Sequence, residues 1–404
     1  MESQIFKLKN NIEVFYRHNA KTPRIALCFN FSVNKAEKNP CAAALMARLF
    51  MQGTKNRTAE QIANELEAYA IEFSAILKSD YLQFKFVCLN EDFSKALELM
   101  SDIIKNSTFE EFDKELLKMK GEIVAELDSP RTKVSDAYER TMFKNHPYGT
   151  TYTLMLENAD SVTKQDVLDV YEEIMNNSRK VIALVGEIPF EEAKEQLDNA
   201  FCDISNDKDI KDLPAVKALN GANNTEIIKP DANQAHILKG WLVPSYTSED
   251  YAPLLLLNII LGASGLSSRL FLELRDKKGL AYVVRSSYEA LSLCGNFSIY
   301  IATEPKNIEV SMAGFKEEID KIKTVKVSDE ELENAKNNLI GKWAFTRETN
   351  FQQACLYAHS GVLGLGFDFY DRAKELVLKV TPDQIKSCAE KYFNDNYVTA
   401  VLKP

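Results

Sequence analysis

Apolar residues along this chain repeat with two different periods, and the period switches back and forth in a fixed order. Alternating stretches come first. Ile5-Phe-Lys-Leu, an Asn10-Asn11 turn and Ile12-Glu-Val-Phe-Tyr predict a hairpin, and Ile25 to Val33 predicts another strand. Pro40 then opens an Ala-rich helix that ends before Gly53. Thr58 caps a helix over 59–69, with Glu60 in its first turn. Strands follow near 71–77 and 81–89, and the 3.6 period over 93–104 and 111–127 predicts two helices. A further helix precedes His146-Pro-Tyr-Gly149. Thr163 caps a helix to Met175, Lys180 to Gly186 reads as a strand, and 190–201 as a helix.

Residues 203–224 break the pattern. They are polar, Asn/Asp-rich and aperiodic, and read as a linker. Strand-like segments at 225–229 and 235–244 restart the order: helix 250–261, a helix, a hairpin, two helices and a final strand. Val162-Thr-Lys-Gln-Asp-Val-Leu-Asp-Val-Tyr, ending in Arg179-Lys-Val-Ile-Ala-Leu-Val, parallels Val380-Thr-Pro-Asp-Gln-Ile-Lys-Ser-Cys-Ala, ending in Tyr397-Val-Thr-Ala-Val-Leu. The caps lie 381 − 163 = 218 residues apart. The expectation is an α+β protein of two homologous halves, each an antiparallel-rich mixed sheet covered by helices. The halves are placed at 1–208 and 224–404, joined by a linker at 209–223.

Composition narrows the function more than the fold. A net charge of −10 with a pI of about 5.2, and no basic run, argues against a nucleic-acid partner. The N-terminus lacks a signal peptide's basic and apolar regions, and the apolar run near 254–261 is too short to span a bilayer. Seven scattered Cys without a C-x-x-C pair fit a reducing compartment, so a cytoplasmic location and no membrane partner are expected. No P-loop, dinucleotide fingerprint or G-x-S-x-G elbow is present. The four His, at 18, 146, 236 and 359, share no helical turn, which leaves no local zinc signal.

One stretch carries chemistry at specific spacing: Ser267-Ser-Arg-Leu-Phe-Leu-Glu-Leu-Arg-Asp-Lys-Lys-Gly-Leu-Ala-Tyr282. Ser267 or Ser268 can cap a helix whose apolar face is Leu270, Phe271 and Leu274. Lys277 and Lys278 suit its C-terminal dipole, and Gly279 supplies the stop. In the strand that follows, Tyr282, Val284 and Ser286 are expected on one face, with Ala281, Val283 and Arg285 on the other. Arg275 and Tyr282 therefore flank a tight glycine turn and can converge. Taken alone, such an Arg is ordinarily a solvated dipole partner and such a Tyr ordinary packing.

The wording from Gly265 to Tyr282 resembles the second half of the pitrilysin, insulin-degrading enzyme and mitochondrial processing peptidase family. The resemblance implies that Arg275 and Tyr282 hold substrate and the tetrahedral intermediate beside a zinc site. It also implies an inverted His-x-x-Glu-His zinc motif on a helix of the first half. The matching segment here is Cys41-Ala-Ala-Ala-Leu-Met-Ala-Arg-Leu-Phe-Met-Gln-Gly-Thr54, followed by Arg57-Thr-Ala-Glu-Gln-Ile-Ala. It places Ala44, Ala47 and Arg48 at the His, Glu and His positions. Glu126, in Gly121-Glu-Ile-Val-Ala-Glu126, matches the third ligand, and Met119 replaces a second acidic residue. Arg48 repels a cation and is expected to pair with a carboxylate, Glu126 being the candidate. The resemblance thus implies no cofactor in this chain and zinc in a partner subunit. The implied role is a non-catalytic subunit, inactive alone, that lends Arg275 and Tyr282 to a homologous zinc-bearing chain, or to a second copy, acting on unfolded peptide. The alternative is a catalytically inactive scaffold of the same fold.

Overall fold

The computed structural model describes residues 3–33, 38–206 and 213–404. Part of the expected linker, residues 209–212, lies outside the described residues. In the first half the order is β1 (Ser3–Lys7), β2 (Glu13–His18), β3 (Arg24–Ser32), α1 (Ala42–Leu49), α2 (Ala59–Ala68), β4 (Glu72–Leu77) and β5 (Tyr81–Leu89). Helices α3 (Phe93–Asn106), α4 (Phe112–Asp128), α5 (Pro130–Met142), α6 (Tyr152–Asn158) and α7 (Lys164–Asn177) follow, then β6 (Lys180–Gly186) and α8 (Phe190–Phe201). The second half runs β7 (Asn223–Ile228), β8 (Ala235–Val243), α9 (Tyr251–Asn258), a helical segment through Phe271–Lys277, β9 (Ala281–Ala290) and β10 (Gly295–Thr303). It closes with α10 (Ile308–Thr324), α11 (Asp329–Phe345), α12 (Asn350–Val362), α13 (Phe369–Lys379), α14 (Pro382–Tyr392) and β11 (Val398–Lys403).

The fold is α+β, with two mixed sheets covered by helices. The sheets have the orders β1-β2-β6-β3-β5-β4 and β7-β11-β8-β10-β9. Without β1 they have one topology. β2 runs parallel to β6 as β7 does to β11, and every other neighbouring pair is antiparallel. The caps repeat too. Thr163 and Thr381 each accept from the backbone N–H three residues on, Asp166 and Gln384, whose side chains return to the cap N–H.

Where two helices were expected after the second hairpin, five form. The breaks have local causes: the Ser328 hydroxyl accepts from Glu331 N–H, Thr349 opens α12 with a capping box, Gly364 and Gly366 take positive φ, and Pro382 starts α14. Helix α6, seven residues long, is too short to show a period.

The chain forms two compact units. One consists of Met1–Gly121, Met155–Leu213 and Ala344–Tyr370, the other of Glu122–Leu154, Pro214–Trp343 and Asp371–Pro404. The first unit therefore takes α12 from the second half of the chain, and the second takes α5 from the first half. Helix α12 lies on β3 and β6, with Tyr357 stacked on Phe15 at 3.8 Å between ring centres. Helix α5 lies on β8 and β11. The Tyr138 ring is buried there, and its hydroxyl donates to Asn296 Oδ1 at 2.6 Å. Gly240 on β8 makes room for it, since a Cβ there would sit 2.1 Å from the Tyr138 oxygen.

Helix α12 also carries His359, whose Nδ1 shares a hydrogen bond of 3.0 Å with the Tyr370 hydroxyl. Burial, partly offset by Asp80, pushes this imidazole down from about 6.5 to about 4. Between those values the unfolded chain binds a proton that the folded one refuses. The contribution is complete above about pH 6.5 and is lost as the pH falls toward 4. His359→Gln keeps a hydrogen-bonding group for Tyr370 and cannot titrate. In urea titrations this variant is expected to lose about 3 kcal/mol less than the parent between pH 6.5 and 4. Parallel curves for the two proteins would contradict the assignment.

Candidate functional site

The Arg275–Tyr282 stretch lies within the second compact unit and is fixed from several sides. Leu270 and Leu274 are fully buried, and Leu274 packs against Gly314 of α10, where a Cβ would meet its Cδ2 at 2.2 Å. Arg269 makes a two-armed ion pair with Glu331, at 2.8 and 2.6 Å. Ser268 directly precedes the helix, but neither it nor Ser267 forms the expected side-chain cap. The Ser268 hydroxyl donates back to the Gly265 carbonyl, at 2.8 Å.

The helix itself differs from an α-helix. Phe271–Lys277 is π-helical, closing with Lys278 N–H donating to the Glu273 carbonyl five residues back at 3.2 Å. Such wide turns are uncommon and cluster at functional positions. Gly279, at φ +61°, ends it, and Leu280 N–H reaches back to the Leu274 carbonyl at 2.9 Å. The Thr303 hydroxyl then donates to the Leu280 carbonyl at 2.6 Å, which holds the start of β9 against β10.

Here the expected strand alternation fails. Ala302 pairs with Val283 but Thr303 pairs with Ala281, so Tyr282 is the extra residue of a β-bulge. Val284 and Ser286 point inward, while Tyr282, expected on their face, is turned out and is 80% exposed. The Arg275 guanidinium centre sits 5.1 Å from the Tyr282 ring and 4.8 Å from the Phe271 ring. Phe271, on the apolar face by its spacing, thus also stacks on Arg275. Its four-residue spacing to Arg275 is the signal for this second stacking partner. Among the described residues no carboxylate lies within ion-pair distance of Arg275, in contrast to Arg57 and Arg269. Its N–H donors and the Tyr282 hydroxyl are open to an incoming acceptor.

The degenerate motif lies in the first unit on α1. Ala47 is buried, Ala44 is half-buried, and neither carries a donor atom. Arg48 Nε donates to the buried Glu115 of α4 at 3.3 Å. The carboxylate partner seen for Arg48 is thus Glu115, where the sequence had offered Glu126; a separation of 67 residues gives no local signal for it. Glu126 is exposed, about three turns further along α4. Met119, between them, is buried. Two methyl groups and an ion-paired guanidinium do not fit a zinc ion, which needs convergent thiolate, imidazole or carboxylate donors. Among the described residues, no group of three or more His, Cys, Asp or Glu is placed to hold a metal. His146 fills a structural role: Nδ1 accepts from Tyr148 N–H at 3.1 Å, and Nε2 lies 2.8 Å from the Pro214 carbonyl. Among the described residues, no helix is long and apolar enough to cross a membrane.

Comparison with known proteins bears on both elements. Residues 13–178 match the model of insulinase, peptidase family M16, and residues 161–339 match that of the peptidase M16 inactive domain. A Rickettsia felis protein named an uncharacterized zinc protease is 27% identical over 409 residues, covering 99% of this chain and 97% of that one. A Bacillus subtilis protein of the same description is 25% identical over 418 residues, covering 99% and 98%. Among solved structures, a protease from Helicobacter pylori superimposes with a TM-score of 0.91 at 22% identity, covering both chains in full. A peptidase M16 inactive domain from Pseudomonas fluorescens does so at 0.88 and 19%, covering 100% of this chain and 98% of that one.

Proposed function

Because the chain belongs to the peptidase M16 family, we propose that it is a non-catalytic subunit of a zinc metallopeptidase. In this reading Arg275 and Tyr282 contact peptide substrate in the active site of a homologous, zinc-bearing partner. The observation that carries the proposal is the contrast between the two elements. The metal-binding positions hold Ala44, Ala47 and Arg48, while Arg275 and Tyr282 are present and converge, the Tyr exposed and the Arg half-buried. A Tyr serving only as packing has no reason to be lifted from its strand by a bulge.

The partner supplies the metal and its water. The work of this chain is electrostatic. As the scissile carbonyl becomes tetrahedral, negative charge grows on its oxygen, and the guanidinium N–H and phenol O–H donate to it. Stacking between Phe271 and Tyr282 holds the guanidinium in place beforehand, so little reorganisation is needed during reaction. Exposed Leu272 and Val283, next to these residues in sequence, offer apolar contacts to a peptide chain.

Elemental analysis of the dialysed, purified chain tests the metal half of the reading. Zinc well below one equivalent per chain is expected, with an unfolding midpoint unmoved by a chelator. One tightly held zinc per chain, lost together with stability on chelation, would overturn it.

A further inference from the structure

Cys28 and Cys355 lie 327 residues apart in sequence, yet their Sγ atoms are 3.0 Å apart in the first compact unit. That is about 1 Å more than a disulfide bond of ~2.04 Å. Cys28 is fully buried on β3, facing α12, and Cys355 on α12 is half-buried. Lys85 is the cross-strand neighbour of Cys28 on β5, and its ammonium lies 4.6 Å from the ring of Phe351, one turn before Cys355. A cation therefore stands beside two touching thiols. Nothing in the proposed peptidase role uses them.

We propose that Cys28 and Cys355 are a peroxide-responsive dithiol whose oxidation covalently staples helix α12 to strand β3. The two sulfurs have different parts. The hydrogen bond with Cys28 lowers the pKa of Cys355, against burial, with Lys85 and Lys78 adding to the effect. Burial and the neighbouring sulfur raise Cys28. Cys355, the less buried of the two residues, attacks one oxygen of hydrogen peroxide as the thiolate. The O–O bond breaks, Cys355 becomes a sulfenic acid, and the hydroxide released takes up a proton to leave as water. Cys28 sulfur then attacks Cys355 sulfur, the S–O bond breaks, and the hydroxyl departs with the Cys28 proton as a second water. The two sulfurs lose two electrons in total, and the two peroxide oxygens gain them. The bond closes a very long loop, and the stabilisation from a cross-link grows with loop length.

The test uses the full chain, reduced, freed of reductant and given one equivalent of hydrogen peroxide. Cys202, which is exposed, is the internal comparator. Non-reducing digestion and mass spectrometry should show the peptides of Cys28 and Cys355 joined as the main product. Cys355 should be consumed roughly tenfold faster than Cys202. The unfolding midpoint should rise by about 5 °C and return on adding dithiothreitol. Cys355→Ser, at a half-buried position, should abolish both the joined peptide and the shift. Cys28→Ser, if it folds, should leave a sulfenic acid on Cys355 that dimedone traps. Oxidation of Cys202 ahead of Cys355 in the parent chain, with no joined peptide, would overturn the proposal without any variant being needed.

Discussion

Arg275→Ala is expected to lower the turnover of a complex reconstituted with a zinc-bearing partner by about 10²–10³-fold, a loss of roughly 2.7–4 kcal/mol in transition-state stabilisation. An oxyanion contact is made mainly at the transition state, so kcat and kcat/KM should fall together while KM stays near its parent value. Tyr282→Phe should give a loss in the same range. It removes the phenol donor and keeps the ring against which Arg275 stacks, at 5.1 Å. Both variants should fold and pair normally, because Tyr282 is 80% exposed and Arg275 has no carboxylate partner among the described residues. Lys277→Ala is the control for surface charge, since Lys277 is exposed and paired with Glu273 one turn away. A scaffold role predicts another pattern. Stability would change by about 1 kcal/mol, as for an ordinary point mutant, and turnover of the assembled complex would not move.

The second large effect is on stability. Tyr138→Ala is expected to cost about 3–5 kcal/mol, through the cavity left by a fully buried aromatic ring and the loss of a hydrogen-bond donor to Asn296. Tyr138→Phe should cost only about 1–2 kcal/mol, because the ring still fills its place and Asn296 Oδ1 alone is left without the phenol. Urea unfolding followed by circular dichroism measures both. The ordering tests the docking of α5 on β8 and β11, where Gly240 admits the Tyr138 oxygen. Near-parent stability for Tyr138→Ala would mean that α5 does not pack there.

Features with local causes were legible in the sequence. The Thr58, Thr163 and Gly279 signals marked helix ends because a cap is formed by neighbours along the chain, and each appears in the structure. The duplication was legible for the same reason, through two capped helices followed by strands at one offset. The convergence of Arg275 and Tyr282 could be expected from a helix, a glycine turn and a strand in succession.

What escaped depends on residues far apart in sequence. Alternation alone placed Tyr282 with Val284 and Ser286. Its outward turn comes from the register shift opposite Ala302 and Thr303 on the neighbouring strand, which no pattern in 281–290 encodes. The Arg48–Glu115 pair joins positions 67 residues apart, so the charge at position 48 pointed to a carboxylate and the sequence named the wrong one, Glu126. The placement of α5 and α12 on sheets of the opposite halves was invisible as well. Amphipathic helices show which face is buried, and their periodicity says nothing of which sheet receives it. The contact of Cys28 with Cys355 follows from that placement.

In the proposed complex catalysis needs two unlike chains, with this one supplying donors and no metal. The most direct test measures hydrolysis of a quenched fluorescent peptide by this chain, by a homologous chain carrying His-x-x-Glu-His from the same organism, and by their mixture. Background hydrolysis is expected from this chain, little from its partner, and from the mixture turnover that rises with added chain and saturates at a fixed stoichiometry. Hydrolysis by this chain alone, or a partner whose rate is unchanged by adding it although the two co-elute, would contradict a shared active site.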